Sequence, residues 1–417
     1  MEQKEKNSIL SAIRNRESWE EFLAYKIERQ HLDKQEQDAI EQYIASEKYL
    51  DACEAIKDGT FPKECAIKKF INKSGTKKKR VVYSFSQDTN ITLKFIAHYL
   101  YVYDERLQKN CYAFRKNQGA KQALSRLTGS RRYEKMYCYK VDIKDYFNSI
   151  DVELLLEKLR FVKEDDSFLY GVFERILRQK EVFFGGHMLV EEHGAMAGIP
   201  IAPFFANIYL QSVDKLFADK QIDYFRYSDD ILIFANTMDE LESYQTLLTE
   251  ELKAHRLAVN PSKISIKKPG EVIEFLGFSY QKGRLDLSEN TRRKIKGKIK
   301  RKAEALRRWQ RKKNLPPEKA AIGFINAMNK KFYGYKDEDE FTWERWFFPN
   351  LTVTEGLREI DHYMQQYIRY CVTGRHYKGN YRITYEKMKE WGYKNLVHSY
   401  YEWHKQEAAD IKESYKI

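Results

Sequence analysis

Two adjacent carboxylates, which interrupt an otherwise apolar stretch, are the first candidates for chemistry in this chain. Asp229 and Asp230 lie in "IDYFRYSDDILIFAN", between two runs that are typical of buried β-strands. The simplest geometry for such a segment is a β-hairpin with both acids at its turn. Because Asp is also a common turn residue, the pair alone is weak evidence of catalysis.

A third carboxylate, Asp142, ends another strand-like segment, "MYCYKVDIKDYFNSID", which then becomes helical. If the two segments share one sheet, three acids converge, and their mutual repulsion favours a cation between them. Mg²⁺ is the hard, oxygen-seeking ion for that role, and two such ions can assist phosphoryl transfer. Asp145 is interpreted as an exposed acid at a helix start and is left out of this metal site.

The elements that must position these acids belong to a large, basic chain. Its 417 residues are 42% hydrophobic and 14% aromatic, which predicts a folded protein of two or three domains. The 74 Lys and Arg against 61 Asp and Glu leave a net charge of +13. This excess favours an anionic partner, nucleic acid above all, although a solvated basic surface is the alternative.

The cysteines and the distribution of apolar residues indicate the cellular compartment of the protein. The five cysteines are scattered and form no CxxC pair, so neither a disulfide framework nor a zinc module is expected. No secretion signal and no apolar run of membrane-spanning length is present. We therefore expect a reduced, cytoplasmic protein that does not associate with a membrane.

Periodicity and composition divide the chain into three regions. Residues 1–67 predict a helical extension, residues 68–285 predict a mixed α/β domain, and residues 286–417 predict a basic helix followed by more helices. From Arg292 to Lys313 there are thirteen Lys and Arg and one acid, Glu304. As a helix, this stretch would align Ile295, Ile299, Lys302 and Leu306 in a narrow apolar stripe.

The remaining surface of that helix would be cationic, which suits a polyphosphate backbone better than isolation in water. A solvated surface helix is the alternative interpretation. The residues predicted to contact nucleic acid are Arg292, Arg293, Lys296, Lys300, Arg307 and Arg308.

Six segments, taken in order along the chain, resemble the reverse transcriptases, and specifically their bacterial group. These are "RVVYSF", "NCYAFRKNQGAKQAL", "KVDIKDYFNSI", "YSDD", "RLAVNPSKISI" and "FLGFSY". The resemblance implies an α/β right-hand polymerase: fingers and a palm with a mixed sheet, a helical thumb, and helical N- and C-terminal additions.

The same resemblance implies roles for individual residues. Catalysis and metal binding are expected of Asp142, Asp229 and Asp230, with Mg²⁺, or Mn²⁺ in its place, as the cofactor. Arg115 and Lys263 are expected to meet the incoming triphosphate; for each, a solvated surface charge is the alternative. Phe147 would exclude a 2′-hydroxyl and so select deoxynucleotides, unless it is an ordinary core residue.

One segment departs from the family pattern. The family usually has Gly-x-Pro-Gln-Gly before a Ser-Pro pair, whereas this chain has "GAMAGIPIAP". Gly198, expected to contact substrate, keeps its place, but Met196 replaces the proline and Ala197 the glutamine. The missing amide side chain raises the question of how template and nucleotide are positioned.

The implied activity is RNA-directed DNA synthesis, with an RNA template, dNTPs and a cDNA product as partners. The "GAMAG" segment and the C-terminal "RITYEKMKEWGYKNLVHSYYEW" look most like the defence-associated class, which acts against phage and pairs with a dedicated non-coding RNA. The alternatives are a retron or diversity-generating enzyme and, in a different class, a maturase-like RNA-binding scaffold. Selectivity for one RNA is expected from aromatic side chains in the Tyr-rich terminal additions.

Overall fold

A computed structural model of the protein describes residues 8–30, 32, 34–72, 79–334 and 342–414. The chain forms two compact units, residues 1–271 and 272–417. Residues 1–7 of the predicted N-terminal extension and residues 73–78 of the predicted α/β domain lie outside the described part. Within the described ranges, no helix is long and apolar enough to cross a membrane. The functional boundaries predicted after residues 67 and 285 stay predictions.

The first unit begins with four helices, α1 (Ile9–Arg14), α2 (Arg16–Gln30), α3 (Lys34–Ala45) and α4 (Lys48–Lys57). Trp19 of α2 is fully buried, and its indole N–H donates to the Ile13 carbonyl at 2.8 Å. Its ring stacks on Phe95 at a centroid distance of 4.1 Å. The N-terminal helices therefore share a hydrophobic core with the elements that follow them.

The other helices of this unit connect and cover two sheets. They are α5 (Gln87–Tyr99), α6 (Ala120–Thr128), α7 (Tyr146–Ser149), α8 (Val152–Lys158), α9 (Arg160–Asp165), α10 (Ser167–Arg178), α11 (Ala202–Tyr209), α12 (Gln211–Asp219) and α13 (Met238–Ala254). The strands are β1 (Ala66–Asn72), β2 (Lys79–Ser84), β3 (Tyr137–Asp142), β4 (Glu181–Phe184), β5 (His187–Val190), β6 (Asp223–Tyr227), β7 (Asp230–Ala235) and β8 (Ser265–Lys267).

Strands β6, β7, β3 and β8 form an antiparallel sheet in that order, the central sheet. Its middle strand β7 has the burial expected of its apolar sequence, since Ile231, Leu232 and Ile233 are fully buried. The second sheet has the order β2, β1, β4, β5 and contains both parallel and antiparallel pairs. The mixed α/β architecture predicted from the sequence is confirmed.

The second unit joins a small antiparallel sheet to a helical bundle. Its elements are β9 (Ile273–Phe275), β10 (Phe278–Gln281), β11 (Arg284–Leu287), α14 (Glu289–Lys312), α15 (Pro317–Tyr333), α16 (Trp343–Phe347), α17 (Glu355–Thr373), α18 (Tyr385–Glu390) and α19 (Leu396–Ser414). Helix α14 is the predicted basic helix, and the Ser288 hydroxyl caps it by accepting from the Thr291 N–H.

The apolar stripe predicted for α14 is partly wrong. Ile295 and Ile299 are buried as expected, but Lys302 is exposed and Ala303 is buried in its place. The reason is the spacing of residues along one side of a helix. Ile295 and Ile299 are four positions apart, and Ala303 continues that i, i+4 row, whereas Lys302 lies beside it. The lysine therefore remains among the surface cations.

Candidate active site

The predicted hairpin is confirmed, and its turn presents the first carboxylate. Strands β6 and β7 pair antiparallel, with Tyr227 opposite Asp230, and Ser228 and Asp229 form the turn between them. Ser228 adopts a φ of 60° and is buried, so this residue of the turn packs into the protein interior. The Asp229 carbonyl accepts the Ile143 N–H at 3.0 Å, which connects the turn to the end of β3.

A buried arginine anchors this turn from within the core. Arg226 of β6 is fully buried and donates to the Asp214 carboxylate on α12, at 2.7 Å from Nε. Its Nη1 also donates to the Ser228 carbonyl at 3.4 Å. Sequence reasoning missed this residue, although a charged side chain within an apolar strand, two positions before the turn, was a usable signal.

Asp142 reaches the same place from the neighbouring strand, as the shared-sheet prediction required. It is the last residue of β3 and lies directly opposite Asp230 in the β3–β7 register. Its carboxylate forms a salt bridge with the Lys263 ammonium. A cavity of about 80 Å³ opens here, and the polar, charged and aromatic side chains of its lining include Arg80, Asp142, Phe147, Asn148, Asp229 and Lys263. Asp145, the exposed acid at the start of α7 that was left out of the predicted metal site, also lines the cavity.

The electrostatics of this cavity are those of an incompletely neutralised anionic site. Burial raises the pKa of Asp229, and the neighbouring Asp142 carboxylate raises it further. Lys263 and Arg80 act in the opposite direction. Two neighbouring carboxylates repel each other when both are ionised. A cation bound between Asp142 and Asp229 would therefore stabilise the charged form of both.

Asp230 is placed differently from the other two acids. It does not line the cavity; its Oδ2 lies 3.4 Å from Nζ of Lys140, and its Oδ1 is buried without a hydrogen-bond partner in the described structure. Burial raises the pKa of Asp230 to about 6. The structure thus brings two of the three predicted metal ligands to the cavity, and the role of Asp230 stays a prediction.

Asp142 and Asp229, the neighbouring carboxylates at the end of the central sheet, fit a divalent cation of the Mg²⁺ type. Among the described residues, no group of three or more His, Cys, Asp or Glu side chains is arranged to hold a metal ion. Mg²⁺ in phosphoryl-transfer sites is commonly held by one or two carboxylates, with substrate phosphates and waters completing the shell. Asp142 and Asp229 satisfy that requirement, so they are the residues that would hold the ion.

The structure does not bring Arg115 to the cavity. Its side chain is 8% exposed, and the guanidinium donates to the carbonyls of Asp104, Gln108 and Cys111 at 2.7–3.1 Å. Arg80, the first residue of the quoted "RVVYSF" segment, lines the cavity instead. Sequence reasoning missed Arg80 because it stands among several basic residues, and nothing local to the chain marks which one faces the acids.

Phe147 and the altered "GAMAG" segment meet on one side of the cavity. Phe147 is half-buried, lines the cavity, and its carbonyl accepts the Ala195 N–H at 2.8 Å. Ala197 also lines the cavity, and its N–H donates to the Asn148 side-chain oxygen at 3.3 Å. An amide side chain therefore reaches the Ala197 position, from α7 rather than from residue 197 itself.

Gly198 supports the cavity wall and does not line it. It has φ of 109°, and a Cβ there would lie 2.9 Å from the Tyr83 carbonyl oxygen. No other residue fits this close approach to β2 without displacing it. The substrate contact predicted for Gly198 stays a prediction.

The six cations predicted to bind nucleic acid lie on α14, with different environments. Arg292 and Lys296 form salt bridges with Glu359 of α17, and Arg307 donates to the Cys371 carbonyl at 3.1 Å. Arg293, Lys300 and Arg308 are exposed. Arg293 donates to the Asn290 side chain at 3.0 Å and Lys300 lies 4.0 Å from the Glu304 carboxylate, both within α14. Half of the set is therefore bound to α17, and half faces solvent.

The fold and the cavity define a mixed α/β protein whose central sheet presents paired carboxylates beside two cations. A family model described as "Reverse transcriptase (RNA-dependent DNA polymerase)" matches residues 71–280, half of the chain. The chain belongs to this family. In the terms of that family, the central sheet, whose four strands lie within the matched residues, is the palm.

Two telomerase structures are similar to part of this chain. Apo telomerase from Candida tropicalis, truncated from its C-terminal domain, is 11% identical, with a TM-score of 0.43 over 54% of this chain and 55% of its own length. Telomerase from Candida albicans, in complex with a fragment of telomeric RNA, is 12% identical, with a TM-score of 0.41 over 78% of this chain. This chain spans 61% of the length of that second structure. No curated protein matches this chain.

Proposed function

We propose that the protein is an RNA-directed DNA polymerase that joins a 3′-hydroxyl to the α-phosphate of a dNTP, with release of pyrophosphate. The observation that carries this proposal is the meeting of Asp142 and Asp229, from two strands of the palm sheet, in a cavity that also contains Arg80 and Lys263. Family membership supplies the reaction type, and the cavity supplies groups suited to it.

In this proposal, the side chains of the cavity have separate roles. Arg80 and Lys263 bind and orient the anionic triphosphate, because both cations line the cavity beside the acids. Asp142 and Asp229 would hold Mg²⁺, which when bound supplies activation of the hydroxyl and stabilisation of the leaving oxygen. Phe147 restricts the sugar, and Asn148 fixes the Ala197 backbone beside it. We infer that Asp230 supports the turn near the primer end.

Primer extension on an RNA template tests the proposal. Asp142→Asn and Asp229→Asn should each reduce Mg²⁺-dependent dNTP incorporation by about 10³-fold or more, since loss of a ligand forfeits several kcal/mol of transition-state stabilisation. Asp219→Asn is the matched control, because Asp219 is exposed on α12 and forms a surface salt bridge with Lys215. Full incorporation by a folded Asp229→Asn protein would place the reaction elsewhere in the molecule.

We further propose that the enzyme acts in antiphage defence with a dedicated non-coding RNA. This proposal is supported by the sequence resemblance of the "GAMAG" segment and the C-terminal region to the defence-associated class. A retron or diversity-generating enzyme is the alternative, and sequencing of nucleic acid that copurifies with the protein distinguishes these possibilities. A maturase-like scaffold, the remaining alternative, predicts RNA binding that is unaffected by dNTPs and no extension product.

A further inference from the structure

The loop between α17 and α18, residues Gly374–Arg382, concentrates positive charge at the surface of the second unit. We call it the basic-aromatic loop. From Met364 to Tyr385 the sequence contains no Asp or Glu. Arg375, Lys378 and Arg382 are all exposed. A segment with several cations and no acid is a surface that attracts a polyanion.

The same loop exposes aromatic rings to solvent. Tyr377 is 48% exposed and Tyr381 is 71% exposed. The Arg369 guanidinium lies 4.9 Å from the centre of the Tyr381 ring. Beside them, His376 stacks on Tyr370 at 5.0 Å with an interplanar angle of 12°. Exposed rings interleaved with cations provide both elements of single-strand recognition, stacking for bases and charge for phosphates.

The loop is held in shape by its own hydrogen bonds. Asn380 is buried, and its side-chain amide donates to the Arg375 carbonyl at 2.6 Å. The Thr373 hydroxyl donates to the same carbonyl at 3.0 Å, and the Tyr377 ring lies against Gly379. Because the rings are positioned before any ligand arrives, binding does not require the loop to be ordered first.

The loop also continues the cationic surface of α14 at one end. Arg307 donates to the Cys371 carbonyl, and the guanidinium groups of Arg307 and Arg311 both approach Gly374. At the opposite end of α14, Arg292 and Lys296 are engaged by Glu359. The basic side chains of α14 that Glu359 does not neutralise therefore lie toward the end of the helix near the basic-aromatic loop.

We propose that the basic-aromatic loop binds unpaired nucleotides of an RNA, with Tyr377 and Tyr381 stacking on bases and Arg375, Lys378 and Arg382 contacting phosphates. Binding to double-stranded RNA would need only the cations, because the faces of the bases are stacked inside the double helix. The exposed rings favour a single-stranded segment. The proposal deepens the proposed function and rests on it for the choice of RNA as ligand.

Binding titrations without dNTPs test this proposal separately from catalysis. The probes are an RNA hairpin with an unpaired loop and the same stem as a blunt duplex, measured by fluorescence anisotropy with the full chain. Tyr377→Ala/Tyr381→Ala should weaken hairpin binding by about 5- to 150-fold per stacked base and leave duplex binding unchanged. Tyr377→Trp/Tyr381→Trp should restore hairpin affinity. Phe183→Ala is the matched control, since Phe183 is an aromatic side chain that is 40% exposed on β4, outside both terminal additions.

Two outcomes would overturn the assignment. One is hairpin affinity that is unchanged in the double Ala variant, or reduced equally for hairpin and duplex. The other is a wild-type dimer, seen by mass photometry, that the double Ala variant loses while RNA binding is kept. Primer extension on an unrelated primer-template is run in parallel: a wild-type protein that binds the hairpin but extends nothing would count against the proposed function and leave the loop assignment standing.

Discussion

Arg80 and Arg115 are both basic residues of fingers-like segments, but their side chains have opposite environments. Arg80 is exposed and lines the cavity, whereas Arg115 is nearly buried and bound to three backbone carbonyls. At the residue scale, this difference is why the proposed function gives the triphosphate contact to Arg80. The contact expected of Arg115 stays a prediction.

Substitution of these two arginines should therefore give different defects. Arg80→Ala should raise the KM for dNTP by about tenfold or more, because a charge-assisted contact contributes about 1.5–3 kcal/mol. Arg115→Ala should instead lower the free energy of unfolding by about 1–3 kcal/mol, since carbonyls lose their donors. Steady-state primer extension and urea denaturation measure the two effects. A stable Arg115→Ala protein with a raised KM would reinstate Arg115 as the triphosphate contact.

Phe147 offers a second prediction at the residue scale. Its ring lines the cavity near Asp142, with Phe114 edge-on at 6.3 Å. Phe147→Ala should raise incorporation of ribonucleotides relative to deoxynucleotides by about tenfold, or about 1.4 kcal/mol, because the 2′-hydroxyl would no longer meet the ring. Phe204→Ala, a partly buried Phe that packs on Phe173 and Phe205, is the control for general loss of packing. An unchanged nucleotide ratio would make Phe147 a packing residue.

At the element scale, α14 shows how a very basic helix can be stable. Ile295, Ile299 and Ala303 bury one side, and Glu359 of α17 neutralises part of the charge at the first turns. The cations left exposed are Arg293, Lys300 and Arg308. They are the members of the predicted set that remain available to a phosphate backbone.

Neutralising these exposed cations should change the salt dependence of RNA binding. Arg293→Gln/Lys300→Gln/Arg308→Gln should weaken binding and flatten the slope of log affinity against log salt by about 0.7–0.9 per lost contact. The loss should be similar for unrelated RNAs, since phosphate contacts carry no sequence information. Titrations at several salt concentrations measure the slope, with Lys34→Gln on α3 as the control. An unchanged slope would leave α14 as a solvated surface helix.

At the scale of the whole molecule, the N-terminal helices are integrated into the first unit through an aromatic cluster around His98. This residue of α5 contacts the rings of Phe22 and Tyr25 of α2 at 5.6 and 4.4 Å. Burial lowers the pKa of His98 to about 4, and Lys116 and Lys26 act in the same direction. The imidazole is therefore neutral in the folded protein at pH values where it is protonated in the unfolded chain.

Global stability should accordingly fall as the pH falls from about 6.5 to 4. In this window the unfolded state binds a proton that the folded state does not, so this one group lowers the free energy of unfolding at the acidic end, by about 1–2 kcal/mol once solvent screening of the partly exposed ring is included. His98→Gln should reduce this part of the pH dependence, measured by urea denaturation at pH 7, 5.5 and 4.5. His187→Gln, exposed on β5, is the control. An identical pH profile for His98→Gln and wild type would show that the ring is not responsible.

Local sequence determined the strand and turn that carry each acid. The apolar runs beside Asp142 and Asp229 have the length of strands, and the continuous run of β7 reflects burial on both faces of the central sheet. Such patterns depend only on nearby positions. The β-hairpin was predicted on this basis and is confirmed. The shared sheet, which the converging acids required and the sequence only permitted, is present in the structure. The reverse transcriptase family was also evident from the order of short motifs, because motif order survives where overall identity does not.

Only the tertiary structure decided which charged side chains enter the cavity. Arg80 faces the acids and Arg115 does not, Asp230 turns to Lys140, and Asn148 reaches the Ala197 backbone. Each of these outcomes depends on the packing of segments that are far apart in the chain, which local patterns do not encode. In the same way, the salt bridges of α14 depend on Glu359, a residue that is adjacent to the helix only because α14 and α17 pack together.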